Sequence, residues 1–158
     1  MKILLAACNA KYIHSNLAVY DLRAYASAYQ EHILLGEYTI NQTKDEILKD
    51  IYLSGADVVC FSCYIWNISF VRDLLEDLHK ILPDVKFWTG GPEVSFDAEA
   101  FLRRTPQVTG VMVGEGEKTS SSLCVIMWTV WELYLRFQGL LIVKARRSIT
   151  MDGENLRI

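Results

Sequence analysis

Two glycine–acid segments are where this sequence is best equipped for chemistry: Gly90-Gly91-Pro92-Glu93 and, one strand later, Gly114-Glu115-Gly116-Glu117. Glycine has no Cβ, so a backbone there can approach a bulky phosphate-bearing ligand and present its N–H groups to it. Each segment follows a short run rich in β-branched or aromatic residues, Val85–Thr89 and Val108–Val113. That is where a parallel α/β sheet places its ligand loops, just beyond the carboxyl ends of its strands. One glycine pair is ordinary turn chemistry. Two glycine–acid loops on consecutive strands ask for a ligand.

Other reactive groups lead to weaker readings. Cys60 and Cys63 form a C-x-x-C, but at strand spacing they face opposite sides of a sheet and share neither a metal nor a disulfide. Cys60 reads as a buried thiol, whereas Cys63, at the strand end, is placed to touch a ligand. Tyr64 and Trp66 either stack on a flat ligand or pack under the next helix. Asp73, Glu76 and Asp77 read as a solvated helix face. The sequence shows no Ser-His-Asp or Cys-His arrangement and no zinc-type spacing, and no residue is assigned a catalytic role.

The elements that must position these loops alternate along the chain. Lys2–Ala7, Ile33–Ile40, Asp57–Ser62, Val85–Thr89 and Val108–Val113 read as strands. The first has no polar residue after Lys2, as a strand buried on both faces requires. Between them the spacing predicts helices over Ser15–Gln30 (capped by Ser15), Thr43–Leu53 (with Ile47, Ile51 and Leu53 on or near one face), Ile68–Leu82, and an acidic stretch around Phe96–Arg104. This alternation predicts an α/β fold with a doubly wound, five-stranded parallel sheet, flavodoxin-like (Rossmann-like) in the order 2-1-3-4-5. Its ligand crevice lies beside strands one and three.

Composition narrows the function classes. The chain has 158 residues, 51% of them hydrophobic and 22% charged, as expected of a globular domain with a real core. A net charge of −3 and the lack of a basic stripe argue against nucleic-acid binding. The apolar start is too short for a secretory signal, and Leu123–Leu135 is too short, and interrupted by Glu132, for a membrane span. Four cysteines without a signal fit reduced thiols, and a cytoplasmic protein is expected.

The loops after strands one, three, four and five read Asn9–Asn16, Ser62–Asn67, Gly90–Ser95 and Gly114–Thr119. Together they resemble the N-terminal cobalamin-binding domain of B12-dependent radical SAM proteins, in the subgroup of Fe–S oxidoreductase or magnesium-protoporphyrin ester cyclase-like members. The resemblance covers residues 1 to about 119 and implies a Rossmann-like domain whose crevice accepts cobalamin. Carried over by position, it implies cofactor contacts from Asn9, Lys11, Tyr12 and His14 after strand one and from Ser62, Cys63 and Tyr64 after strand three. Gly90, Gly91, Pro92 and Glu93 approach the nucleotide tail, and Gly114, Glu115 and Gly116 close the far side. Related domains that ligate cobalt through a protein histidine carry Asp-x-His-x-x-Gly after the first strand. Here Tyr12-Ile13-His14-Ser15-Asn16-Leu17 keeps the histidine without the aspartate or the glycine, so His14 is expected to be a loop residue and no metal ligand is assigned. In the resemblance, the [4Fe–4S] cluster and S-adenosylmethionine sit on a separate C-terminal barrel. No C-x-x-x-C-x-x-C occurs here, so the expected role is a cofactor module of a larger enzyme, not catalytic alone. Its partners are then cobalamin and that C-terminal domain, with no membrane and no nucleic acid. The alternative is a cofactor-free regulatory or interaction domain of the same fold. The positions where a receiver domain needs acids, after strands one and three, hold Cys8-Asn9 and Ser62-Cys63.

Residues 120–158 lose the rhythm. Taking the last base of each codon with the first two of the next, Ile126–Glu132 permits Tyr-Tyr-Val-Asp-Gly-Val-Gly. Arg136–Gly139 permits Glu-Ile-Pro-Gly, and Thr150–Leu156 permits Asn-Gly-Trp-Arg-Glu-Pro. These strings resemble the family's own continuation after Gly-Glu-Gly-Glu. The expected organisation is a cobalamin-binding domain over 1–119 and a tail over 120–158 translated out of frame, which forms helix or strand by propensity alone.

Overall fold

The computed structural model describes residues 1–11, 15–114, 149–152 and 155–157, the last two segments as backbone only. Strands β1 (Ile3–Asn9), β2 (Ile33–Thr39), β3 (Val58–Ser62), β4 (Lys86–Gly90) and β5 (Gly110–Val113) are parallel and lie in the expected order β2-β1-β3-β4-β5. The register aligns Leu5 with Cys60, and Cys60 with Trp88. The sheet then continues beyond the five strands expected. β6 (Ile149–Asp152) pairs parallel with β5, and β7 (Asn155–Arg157) pairs antiparallel with β6.

Helices α2 (Lys44–Ser54), α3 (Ile68–Ile81) and α5 (Ala98–Arg104) pack on one face of the sheet. Val71, Leu74, Leu75 and Leu78 recur at helical spacing, are wholly buried, and meet Val59, Phe61 and Phe87. Each such side chain contributes about 1.5–3 kcal/mol by leaving water. The opposite face, with Ile3, Leu5, Val58, Cys60, Trp88 and Met112, is covered among the described helices by α1 (Leu17–Tyr25) through Val19 and Leu22. The chain changes faces between β1 and β3, which is the switch point of the topology.

Several boundaries differ from the sequence reading. Asn16, not Ser15, caps α1, its Oδ1 accepting from the Ala18 N–H at 3.1 Å. The helix expected to reach Gln30 ends at Tyr25 and tightens into a 3₁₀ segment, Ser27–His32. Leu22, Ala26 and Tyr29 all pack toward the sheet, the i, i+4, i+7 spacing of one helix face, so the apolar stripe continues across the change of helix type. In α2, Ile47 and Ile51 are four apart and buried, while Leu53 points outward and is exposed. The acidic helix expected around Phe96–Arg104 is α5, starting at Ala98 and capped by Asp97, and a separate single turn, α4 (Pro92–Ser95), precedes it. Phe96 between them is almost fully exposed.

Candidate cofactor site

Asn9, Ser62 and Gly90 end their strands as β-sheet residues, so the backbone that reaches the crevice is held by sheet hydrogen bonds up to its rim. A cleft of about 150 Å³ opens on the α1 face, beyond the ends of β3, β4 and β5. Its apolar floor is Leu5, Cys60 and Met112, and α1 supplies Ala18, Val19 and Leu22 as one wall. Ser62, Tyr64, Gly90, Gly91 and Gly114 form the mouth.

Two of these glycines serve different ends. At Gly91 φ is 107°, and a Cβ would overlap the Cys63 carbonyl oxygen; the Cys63 N–H in turn donates to the Gly90 carbonyl at 2.7 Å. The missing side chain there lets the loops after β3 and β4 close on each other. At Gly114 φ is 83°, and among the described residues a Cβ would meet nothing within 4 Å at the cleft mouth.

Asn67 ties the switch point together. Its buried side chain donates to the carbonyls of Cys8 (3.0 Å) and Ser62 (2.9 Å) and accepts from the Tyr64 N–H (2.8 Å). The ends of β1 and β3 and the start of the β3 loop thus hang on one amide. The Ser62 hydroxyl accepts from Asn16 Nδ2 at 3.1 Å, which leaves its own O–H to donate toward the cleft.

Of the residues expected to contact a cofactor, Ser62, Tyr64, Gly90, Gly91 and Gly114 come together at the cleft. Asn9 lies beside it, turned to Glu37 (3.4 Å), and Lys11 is exposed. Pro92 and Glu93 sit exposed in the first turn of α4 and do not line the cleft. The Cys63 side chain corrects its expected role at a ligand. It is buried on the opposite face with Cys8, and burial pushes both thiols up to about 12. The loop after β3 turns there, so the backbone of Cys63, not its sulfur, stays at the rim. Tyr64 and Trp66 stack on each other, centroids 4.5 Å apart and planes 6° apart, an arrangement that neither of the two expected packings contained. Tyr12, His14, Glu115 and Gly116 lie outside the described residues.

Sequence reasoning missed the floor, Asn16, Asn67 and Glu37. The floor residues alternate along strands like any core residue, so only the topology shows which of them face a cleft. Asn67 carried one available signal, a polar residue immediately before an amphipathic helix, which reads as a cap; its side chain instead turns back to the strands.

The apolar floor, the polar mouth and the open backbone at Gly114 fit a ligand with a flat apolar end and a polar, hydrogen-bonding chain. Among the described residues no group of three His, Cys, Asp or Glu is placed to hold a metal ion, and no helix is long and apolar enough to cross a membrane. A five-stranded parallel sheet in the order 2-1-3-4-5 with a cleft at its carboxyl edge defines a flavodoxin/CheY-like α/β domain. Within that class, residues 3–123 match the B12 binding domain family, and the chain belongs to it.

Solved structures share the fold at low identity. The apo form of OxsB, a cobalamin-dependent S-adenosylmethionine radical enzyme, aligns over 81% of this chain and 19% of its own, at 20% identity and a TM-score of 0.61. A cobalamin-binding protein from Desulfitobacterium hafniense DCB-2 aligns over 81% of this chain and 57% of its own, at 16% identity and a TM-score of 0.58. The CheY-like TadZ of Pseudomonas aeruginosa PAO1 aligns over 89% of this chain and 97% of its own, at 15% identity and a TM-score of 0.52. The chain spans about a fifth of the first of these proteins and little more than half of the second. No curated protein matches it in sequence.

Proposed function

We propose that this chain is the cobalamin-binding module of a larger B12-dependent radical SAM enzyme. The observation that carries the reading is the cleft on the α1 face, with Ser62, Gly90, Gly91 and Gly114 at its mouth, in a member of the B12 binding domain family. The fold shared with OxsB supports the finer assignment to a radical SAM parent. When bound, the cobalamin supplies group-transfer chemistry at its cobalt; the chain binds and orients it. Ser62 offers a hydroxyl donor, Gly114 an unobstructed backbone, and Leu5, Cys60 and Met112 an apolar floor. Asn9, Lys11 and Tyr64 are read as contacts at the mouth, and Glu115 and Gly116, by the resemblance alone, as further cofactor contacts. Pro92 and Glu93 contribute through the α4 turn.

Titration of the purified protein with hydroxocobalamin, followed by its visible spectrum, tests the reading. A spectral shift with colour retained after desalting is expected; neither would refute it. His14 is read as a bystander, so His14→Ala should leave the bound spectrum unchanged. The tail over 120–158 is read as out of frame from the family-like strings that a one-base shift restores. Restoring the frame near codon 120 should then tighten cobalamin binding by roughly tenfold, as docking a helix behind Gly114–Glu117 pre-orders the loop.

A further inference from the structure

Glu37, near the end of β2, lies outside the cleft, and no motif singles it out. Its carboxylate nevertheless gathers both sides of the connection from β1 to α1. Oε1 accepts from Asn9 Nδ2 at 3.4 Å and from the Asn16 N–H at 3.0 Å. Oε2 accepts from Ser15 Oγ at 3.3 Å and from the Tyr20 hydroxyl at 2.8 Å. Asn16 then passes the placement on: its Oδ1 caps α1, and its Nδ2 reaches Ser62 on the cleft mouth. One side chain on the neighbouring strand thereby fixes where α1, with Ala18, Val19 and Leu22 on the cleft wall, stands relative to the end of β3.

We propose that Glu37 is a positioning residue for cofactor binding, setting the width of the cleft through Asn16 before any ligand arrives. This rests on the cobalamin reading above. A carboxylate suits the task because two oxygens must take four donors and give none. Partial burial works against ionisation, but the bonds from Tyr20, Asn16, Asn9 and Ser15 outweigh it and hold the group below its ordinary value. The hydroxyl of Tyr20 is correspondingly held above its own, first by its bond to Glu37. A preformed wall spares the ligand the ordering cost on binding. The isosteric amide is a discriminating replacement. Glutamine keeps an acceptor for the two N–H donors and turns its NH₂ toward the hydroxyls of Ser15 and Tyr20, which can accept as well as donate.

The test compares wild type, Glu37→Ala and Glu37→Gln by hydroxocobalamin titration and by thermal midpoint. A ligand-free readout is added: the rate of trypsin cleavage after Lys11, an exposed residue between Asn9 and Ser15. Glu37→Ala is expected to weaken cobalamin about five- to tenfold and to speed that cleavage, while Glu37→Gln stays within about threefold of wild type on both. Equal affinity in wild type and Glu37→Ala overturns the proposal, and so does a loss in Glu37→Gln as large as in Glu37→Ala. If Glu37→Ala proves unfolded at the assay temperature, Tyr20→Phe decides instead. A loss of about twofold with an unchanged midpoint supports the proposal, and no loss overturns it. A wild type that takes up no cobalamin removes the cofactor reading itself. Faster cleavage after Lys11 in Glu37→Ala then still supports Glu37 as the group that fixes the connection, and unchanged cleavage overturns that as well.

Discussion

On one face of the sheet, α3 sets Val71, Leu74, Leu75 and Leu78 wholly out of water against Val59, Phe61 and Phe87, with α2 and α5 on either side. On the other face, among the described helices, α1 and the 3₁₀ segment after it lie over the strands, and Val19 is the only fully buried residue of α1. The cleft opens on that second face, beside α1. The difference shows a division of labour. Among the described residues the α3 face supplies most of the buried apolar contact that holds the strands, and the α1 face carries the cleft at the strand ends. Polar side chains tie elements at the strand ends on both sides: Glu37 and Asn16 join α1 to β2 and β3, and Asn67, at the start of α3, joins β1 to β3.

The comparison is broken most directly by truncating one side chain on each face. Leu75→Ala should cost about 3 kcal/mol of unfolding free energy in urea, and Val19→Ala about 1.5 kcal/mol, the two methyl groups it buries. Equal losses would mean that the faces share the load. Between the faces, Gly91→Ala should cost about 2 kcal/mol from its backbone conformation alone. Because the new methyl also pushes against the Cys63 carbonyl, cobalamin affinity should fall with stability; a variant as stable as wild type would show that the β3 and β4 loops need not close. Asn67→Ala strips partners from the carbonyls of Cys8 and Ser62 and the N–H of Tyr64, and should cost about 2 kcal/mol. A midpoint within a degree of wild type would remove Asn67 as the tie across the switch point.

The smallest effect belongs to the surface of the packed face. Lys44 of α2 and Lys80 hold the Asp77 carboxyl of α3 down to about 2. A group depressed on folding adds stability that is complete above its ordinary range and is lost as pH falls through it toward 2. The acid limb of a stability–pH curve should therefore be shallower in Asp77→Asn than in wild type. Superimposable curves would show that this pair contributes nothing, as many exposed ion pairs do not.

The strands were legible in the sequence because each depends on local periodicity, and their order followed from the few topologies such an alternation allows. Lys2–Ala7 could only be a buried strand, Val71, Leu74, Leu75 and Leu78 could only be one helix face, and alternation of the two with short connections leaves few parallel topologies. Ser62, Gly90, Gly91 and Gly114 were legible for the same reason, since they stand at strand ends. The tertiary structure decided what depends on distance in space between residues far apart in sequence. Cys63 continues the strand's alternation onto the face opposite Cys60, and only the topology showed that the cleft lies on the Cys60 side. Asn67 faced Cys8, nearly sixty residues earlier, because β1 and β3 are neighbours. Glu37, one acid among many along the chain, became the acceptor for four donors because β2 lies beside β1 and under the start of α1. Periodicity reports which side of an element is apolar; it carries no record of which polar groups will meet across a sheet edge, since a hydrogen bond is specified by position and not by pattern.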